Sequence, residues 1–416
     1  MGMPLLRRIL GAPNVQKHLE KRDVAKLIND LRDESAIVRA QAATAIGKLG
    51  DSKAAPALIA AYDDEDHAVT DAITVALGEM GPEIFPLLAP LIISGQVWTR
   101  GDKGARAAIR TIAARDFDKA AGELRSLMGH SEWRVRLAAK EAIIPNGAAA
   151  SRLAIDALSD ERPEARVVAA GILGALGMPD GVDPLIKALG DDGPEVRQAA
   201  AEALGNIGAK RAVDGLIALV KDPTEPPQNA VVVALGKLRS SKAVQPLVEV
   251  LDSATDDRLI GNIADALRTI GDAAAANPLR NALEKTHDVD TRESIFSAIA
   301  ALHDPSSKEM LLSEIDFEEK RLTRRAQLNA QEFKLVTSLV GSLALVGGDD
   351  VIAALTERLE SPLSFDVVDG PSSQRFYPIR DAARTALILM GRHPGVSGSD
   401  SDDDENTTSG RFEVKS

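Results

Sequence analysis

The chain of 416 residues contains no cysteine. That excludes disulfides, thiolate metal sites and a cysteine nucleophile together, and it fits a reducing, cytoplasmic setting. Aromatic residues make up only 3% of a chain that is 44% hydrophobic. Alanine, leucine, isoleucine and valine must therefore fill the core, and small side chains let helices approach closely. Basic residues are in the minority: 49 Lys and Arg face 62 Asp and Glu, a net charge of −13. Such a chain repels phosphate backbones, so nucleic acid is not the expected partner. No apolar run approaches the ~20 residues of a membrane helix, and no membrane span is expected. The opening MGMPLLRRILGAPN is too short and interrupted for a signal-peptide core. Residues 1–20 read as a capping helix.

What is present is repetition. VRAQAATAIGKLG from Val38, ARVVAAGILGALG from Ala165, VRQAAAEALGNIG from Val196 and IRDAARTALILMG from Ile379 share one phase. Each ends in glycine, at Gly50, Gly177, Gly208 and Gly391. Equivalent positions recur about every 31 residues, at Gly81, Ala113, Gly147, Arg239, Gly271, His303 and Gly347 as well. A period of that length means a stacked array whose units cannot bury their apolar faces alone. Each unit splits into two helical patterns. In one, Val182, Leu185, Ile186 and Leu189 mark the first helix, and Val196, Ala200, Ala203, Leu204 and Ile207 the second. Gly190 to Pro194 breaks them, and Gly208 suits a left-handed cap. Pro56, Pro86, Pro184, Pro246 and Pro278 fall early in first helices, where a missing N–H costs little. No alternating β pattern of four or more residues stands out, so the chain should be almost entirely helical.

The pattern D-x(2–4)-VR-x2-AAxALGxIG, matched at Asp33–Gly50, Asp160–Gly177 and Asp192–Gly208, resembles the HEAT repeat of the short type named after phycobilisome lyases. The resemblance covers residues 21–391. It implies an all-α, armadillo-type α-solenoid of about eleven helix pairs, with insertions at 313–335 and 361–378. Residues 392–416, with acids at 400 and 402 to 405, read as a disordered acidic tail.

Enzymatic chemistry finds little support. Six histidines lie in different repeats without metal-ligand spacing. HEAT-like repeats also build deoxyhypusine hydroxylase, a metal oxidoreductase that uses His-Glu dipeptides; this sequence has none. No nucleophile motif is present. No metal, cofactor or catalytic residue is expected, and the chain does not read as an enzyme. A ladder of arginines, Arg39, Arg136, Arg166, Arg197, Arg292 and Arg380, stands eleven residues before the repeat anchors. It reads as structural: guanidinium groups bonding the turns between helices, with Asp33, Asp160, Asp192 and Asp290 as natural partners.

An array is mainly surface, and binding of another protein is the expected function, as a scaffold or adaptor. Contact candidates are an apolar groove at Val231, Val232 and Val233, the isolated Trp98, and the insertion carrying Phe365, Arg375, Phe376 and Tyr377, since aromatics and arginine anchor interfaces. The insertion EEKRLTRRAQLNAQEFK reads as an extended, charged helix pair. The resemblance also implies an alternative: a phycobilin lyase, or its chaperone-like subunit, acting on a client's cysteine.

Overall fold

A computed structural model describes residues 13–94, 100–221, 228–302, 304, 306–323, 330–361, 363–369 and 372–391. The amino-terminal half contains α1 (Pro13–Glu20), α2 (Val24–Asp30), α3 (Ala36–Leu49), α4 (Ala55–Ala60), α5 (His67–Gly78), α6 (Phe85–Ser94), α7 (Arg100–Arg115) and α8 (Phe117–Met128). It continues with α9 (Trp133–Ile143), α10 (Gly147–Ala157), α11 (Pro163–Leu176), α12 (Val182–Ala188), α13 (Pro194–Ile207), α14 (Val213–Val220), α15 (Gln228–Leu238) and α16 (Val244–Ser253). Then follow α17 (Asp257–Ile270), α18 (Ala276–Ala282), α19 (Val289–Ala301), α20 (Ser307–Leu322), α21 (Ala330–Val346), α22 (Asp349–Glu357), strands β1 (Phe365–Asp369) and β2 (Ser372–Phe376), and α23 (Pro378–Leu389). The architecture is an α-solenoid. The tail at 392–416 and most of the expected capping segment at 1–20 lie outside the described residues. What is described of that segment, α1, packs on α2 and α3.

First helices open on a 3₁₀ turn, at Ser52–Ala54, Pro82–Ile84, Pro179–Gly181, Lys210–Ala212, Ser241–Ala243 and Ala273–Ala275. The turn places each recurrent proline within the first turn of its α-helix, where its missing N–H has no helical partner to lose. Second helices end on a left-handed residue: Gly50 at φ 61°, Gly177 at 66°, Gly208 at 76° and Gly271 at 79°. The same conformation is forced on Arg239, with φ 50° and no glycine to ease it. Three anchors depart from this pattern. Gly147 combines φ 52° with ψ −117° and opens α10. Gly81 has φ −86°, because α5 already ends at Gly78, and Ala113 lies inside the longer α7. His303 lies outside the described residues.

The chain forms two compact units, Met1–Val250 and Leu251–Ser416. In the first, the second helices α3, α5, α7, α9, α11, α13 and α15 pack each on the next. Glycine three residues before the cap makes this approach close. A Cβ on Gly47 would stand 2.6 Å from Ala76 Cα, one on Gly174 2.8 Å from Ala203 Cα, and one on Gly205 2.9 Å from Ala234 Cα. In the second unit α17, α19, α21 and α23 form the corresponding layer. Its core joins Phe296, Leu311, Ile315, Leu339, Leu343, Leu355, Ile379 and Leu387.

One expectation is corrected. The insertion at 361–378 is not a plain loop but an antiparallel β-hairpin. Phe365 pairs with Phe376, Asp366 with Arg375, and Asp369 with Ser372. Its strands are short, and neither alternates apolar with polar residues, so no period-2 signal marks them. The two-residue connection and the β-branched Val367 and Val368 supply the physical reason instead.

Candidate partner-binding surface

The arginine ladder comes from position: each guanidinium projects from the first turn of a second helix back onto the preceding turn. Arg39 Nη1 donates to the carbonyls of Asp33 and Glu34 at 2.9 and 3.2 Å. Its Nε and Nη2 also reach both carboxylate oxygens of Asp64, at 2.6 and 2.8 Å. Arg166 does the same with the carbonyls of Asp160 and Glu161 and the carboxylate of Asp191. In both cases the acid lies 25 residues ahead, in the next repeat's turn. Arg136 and Arg197 bond turn carbonyls, at His130 and Ser131 and at Asp191 and Asp192. Arg292 bonds Leu283 and Thr286 carbonyls and the Glu314 carboxylate, and Arg380 bonds the Ser361 carbonyl at 2.6 Å.

The expected acid partners are thereby corrected. Asp33, Asp160 and Asp192 give the arginines their carbonyls, not their carboxylates. The Asp160 carboxylate takes Arg162 and Arg125, and Asp290 holds Lys334 at 2.6 Å. Carboxylates turn instead toward the neighbouring repeat. The Arg39 side chain holds the Asp64 carboxyl below the usual range. Burial pushes the Asp191 carboxyl up, but Arg166 and the Gly193 N–H outweigh it and hold it low.

The valine groove is also corrected. Val231 and Val232 are fully buried, and of the three only Val233 reaches the surface. Three consecutive residues on a helix span most of its circumference, so they cannot share one face. The other exposed apolar residue at the same phase in this unit, Val75, is several repeats away, and no continuous groove forms. Trp98 lies outside the described residues.

In the second unit, the exposed Phe317 and Arg375 lie on the insertions, while Leu345, Ile388 and Leu389 are exposed on the second helices. Arg375 is exposed on β2, opposite Asp366. Tyr377 follows the hairpin, and the Arg380 guanidinium stands 4.5 Å from its ring centroid. Phe365 and Phe376 form the register pair at the base of the hairpin. Helices α20 and α21 are 16 and 17 residues long, against 7 for α18, and charge pairs tie them. Arg321 bonds the buried carboxylates of Glu318 and Glu332, at 2.7 and 3.2 Å. Lys334 bonds Asp290 and Glu293, and those acids raise its ammonium well above the usual lysine range. Beside them opens a cleft of about 390 Å³ lined by His287, Arg292, Phe317, Glu318, Arg321 and Glu332. Phe317 is 59% exposed, yet the sequence reading did not single it out. The available signal was its phase: Ile315, Glu318 and Leu322 are the buried stripe of α20, and Phe317 falls outside it. Among the described residues, no group of three or more His, Asp or Glu could hold a metal ion, and no helix is long and apolar enough to cross a membrane.

Family models agree with this architecture. HEAT repeats match residues 24–102 and 151–235, and the PBS lyase HEAT-like repeat matches 227–253 and 261–285. The chain carries HEAT repeats in these matched stretches, those of the PBS lyase type among them. Among solved structures it is similar to Kap121p, with 12% identity, a TM-score of 0.53, and coverage of 88% of this chain and 48% of that one. The chain thus spans about half the length of the Kap121p chain it matches. The CpcE and CpcF complex of phycocyanin lyase from Nostoc sp. PCC7120 matches at 22% identity and a TM-score of 0.36, covering 58% of this chain and 87% of that one. Human deoxyhypusine hydroxylase matches at 17% identity and 0.28, covering 67% and 99%. At these identities the likeness concerns the fold alone. A sequence comparison with curated proteins finds no match.

Proposed function

We propose that this chain is a non-catalytic scaffold that binds another protein through the insertions of its second unit. The observation that carries this reading is where exposed aromatic and arginine side chains fall. In a chain so poor in aromatics, the exposed Phe317, Phe333 and Arg375 sit on the elements that depart from the repeat, while one exposed aromatic, Trp133, lies on a regular second helix. Such residues anchor interfaces, and long insertions in compact arrays are commonly functional. Burial of Val231 and Val232 removes the valine groove from the expected contacts and leaves the insertions. A HEAT-repeat structure bound to a protein, Kap121p with Pho4p, is consistent with this use of the fold.

The test is affinity purification from the source cell with the intact chain, a Phe317→Ala variant and an Arg375→Glu variant. One stoichiometric protein partner, lost by about tenfold in either variant, is expected. Equal recovery by all three would move the site to the second-helix face, and recovery of no protein would end the scaffold reading. The PBS lyase HEAT-like match favours a second reading, a chromophore-lyase role. Co-expression with a bilin source and a visible absorption spectrum of the purified chain distinguish it.

A further inference from the structure

At one position the last described helix exposes what the earlier second helices of its unit bury. The position seven residues before the repeat anchor is Ala264 in α17, Phe296 in α19 and Val340 in α21, all buried. In α23 it is Arg384, and it is exposed. A charged residue there opposes the stacking of another alanine-rich helix, because a buried guanidinium needs a carboxylate. Arg384 forms no ion pair with a described residue. Beside it on the helix surface stand Asp381, also exposed, and Ile388, 52% exposed. Tyr377, the half-buried N-cap residue one turn before Asp381, ends the stripe, with the Arg380 guanidinium against its ring.

This stripe is its own complement. Its members fall at 377, 381, 384 and 388, spacings that read the same in both directions. When two such helices meet antiparallel, with a two-fold axis between Ala382 and Ala383, position 381 faces 384 and position 377 faces 388. Asp381 then meets the partner's Arg384 twice over, and Ile388 meets the ring of the partner's Tyr377. Isologous pairing of this kind requires one patch to satisfy itself, and this patch supplies both signs of charge and both halves of the apolar contact.

We infer that the outer face of α23 is a self-association surface and that its occupant is a second copy of this chain. The helix has 12 residues and is therefore about 18 Å long. A contact of that length falls below the ~1,200 Å² of a stable interface. The dimer is consequently weak and concentration-dependent, with dissociation between the micromolar and millimolar ranges. Tyr377 is common to this contact and to the scaffold reading, but the substitutions that test that reading, at Phe317 and Arg375, lie outside it, so the two can fail separately.

Sedimentation equilibrium of the full chain, from micromolar to near-millimolar concentration, tests the inference. The apparent mass should rise toward twice the monomer and stop there. Asp381→Arg and Arg384→Asp should each weaken association at least tenfold, and the two together should restore it. Ile388→Lys should abolish it. Circular dichroism checks that each variant is folded. If Asp381→Arg fails to fold, Thr385→Arg, on the same exposed face, replaces it. A monomer at every concentration overturns the inference, as does open-ended growth beyond the dimer. A dimer indifferent to these substitutions, or a double variant as weak as the singles, also overturns it.

Discussion

Arg166 shows how one side chain ties two repeats together. It closes its own turn through two carbonyls and grips Asp191 of the next turn with two nitrogens. Both partners are largely shielded, at 16% and 14% side-chain exposure, so the bidentate bond escapes most solvent screening. Arg166→Leu should cost about 2 kcal/mol, read as a lower midpoint in urea unfolding at neutral pH. The pH dependence follows from the depressed carboxyl. Asp191 and Asp64 sit lower in the folded chain than in the unfolded one. Their contribution is complete above the ordinary carboxylate range near ~4. It fades as pH falls through the folded values, so the gap between wild type and variant should close in acid. A gap unchanged at low pH would mean that Arg166 acts through packing alone. Arg239 offers the opposite sign. A non-glycine residue at φ 50° carries a strain of about 1 kcal/mol. Arg239→Gly should raise the melting temperature, since the other left-handed caps show that the site wants glycine.

Among the elements, the second helices are held by what they lack. Gly174 leaves room for Ala203 Cα of the next helix, which a Cβ would approach to 2.8 Å. Alanine there gains about 1 kcal/mol of helix propensity, yet backbone must shift to admit it. Overpacking costs about 1–3 kcal/mol, and the contact is to main chain, so the larger cost should win. Gly174→Ala is expected to destabilise in a thermal melt, and Gly177→Ala, which meets only open space at φ 66°, should cost about 1 kcal/mol through strain alone. The recurring glycine pair was visible in the sequence, but only the left-handed member could be assigned there. The other touches a residue 29 positions away, and no local pattern states that distance. The hairpin escaped for a related reason: five-residue strands in a helical chain become legible only through their partner.

At the scale of the whole molecule, stability is distributed over neighbouring repeats and not concentrated in one core. Leu77 is fully buried in α5. Leu77→Ala should cost about 2–5 kcal/mol. Hydrogen exchange should quicken most in α3, α5 and α7 and least in α13. Uniform loss of protection throughout 13–250 would contradict a nearest-neighbour array. The acidic charge of −13 also bears on the whole surface. The chain should show no measurable binding to duplex DNA at physiological salt by fluorescence anisotropy, because counterion release needs clustered cations.

The sequence by itself determined the repeat, its period, the order of short and long helices and the arginine row, because these follow from local periodicity and from residue types with one strong conformational preference. Tertiary structure decided what each row touches. Asp64 and Asp191 became ladder partners because stacking brings the next turn within reach. Val231 and Val232 went inward while Val233 stayed out because neighbouring helices cover α15 except on the face that carries Val233. Arg384 stayed exposed because none of the described helices covers that face of α23. In each case the residue's own chemistry was plain from the sequence, and its role was set by a neighbour a full repeat or more away along the chain.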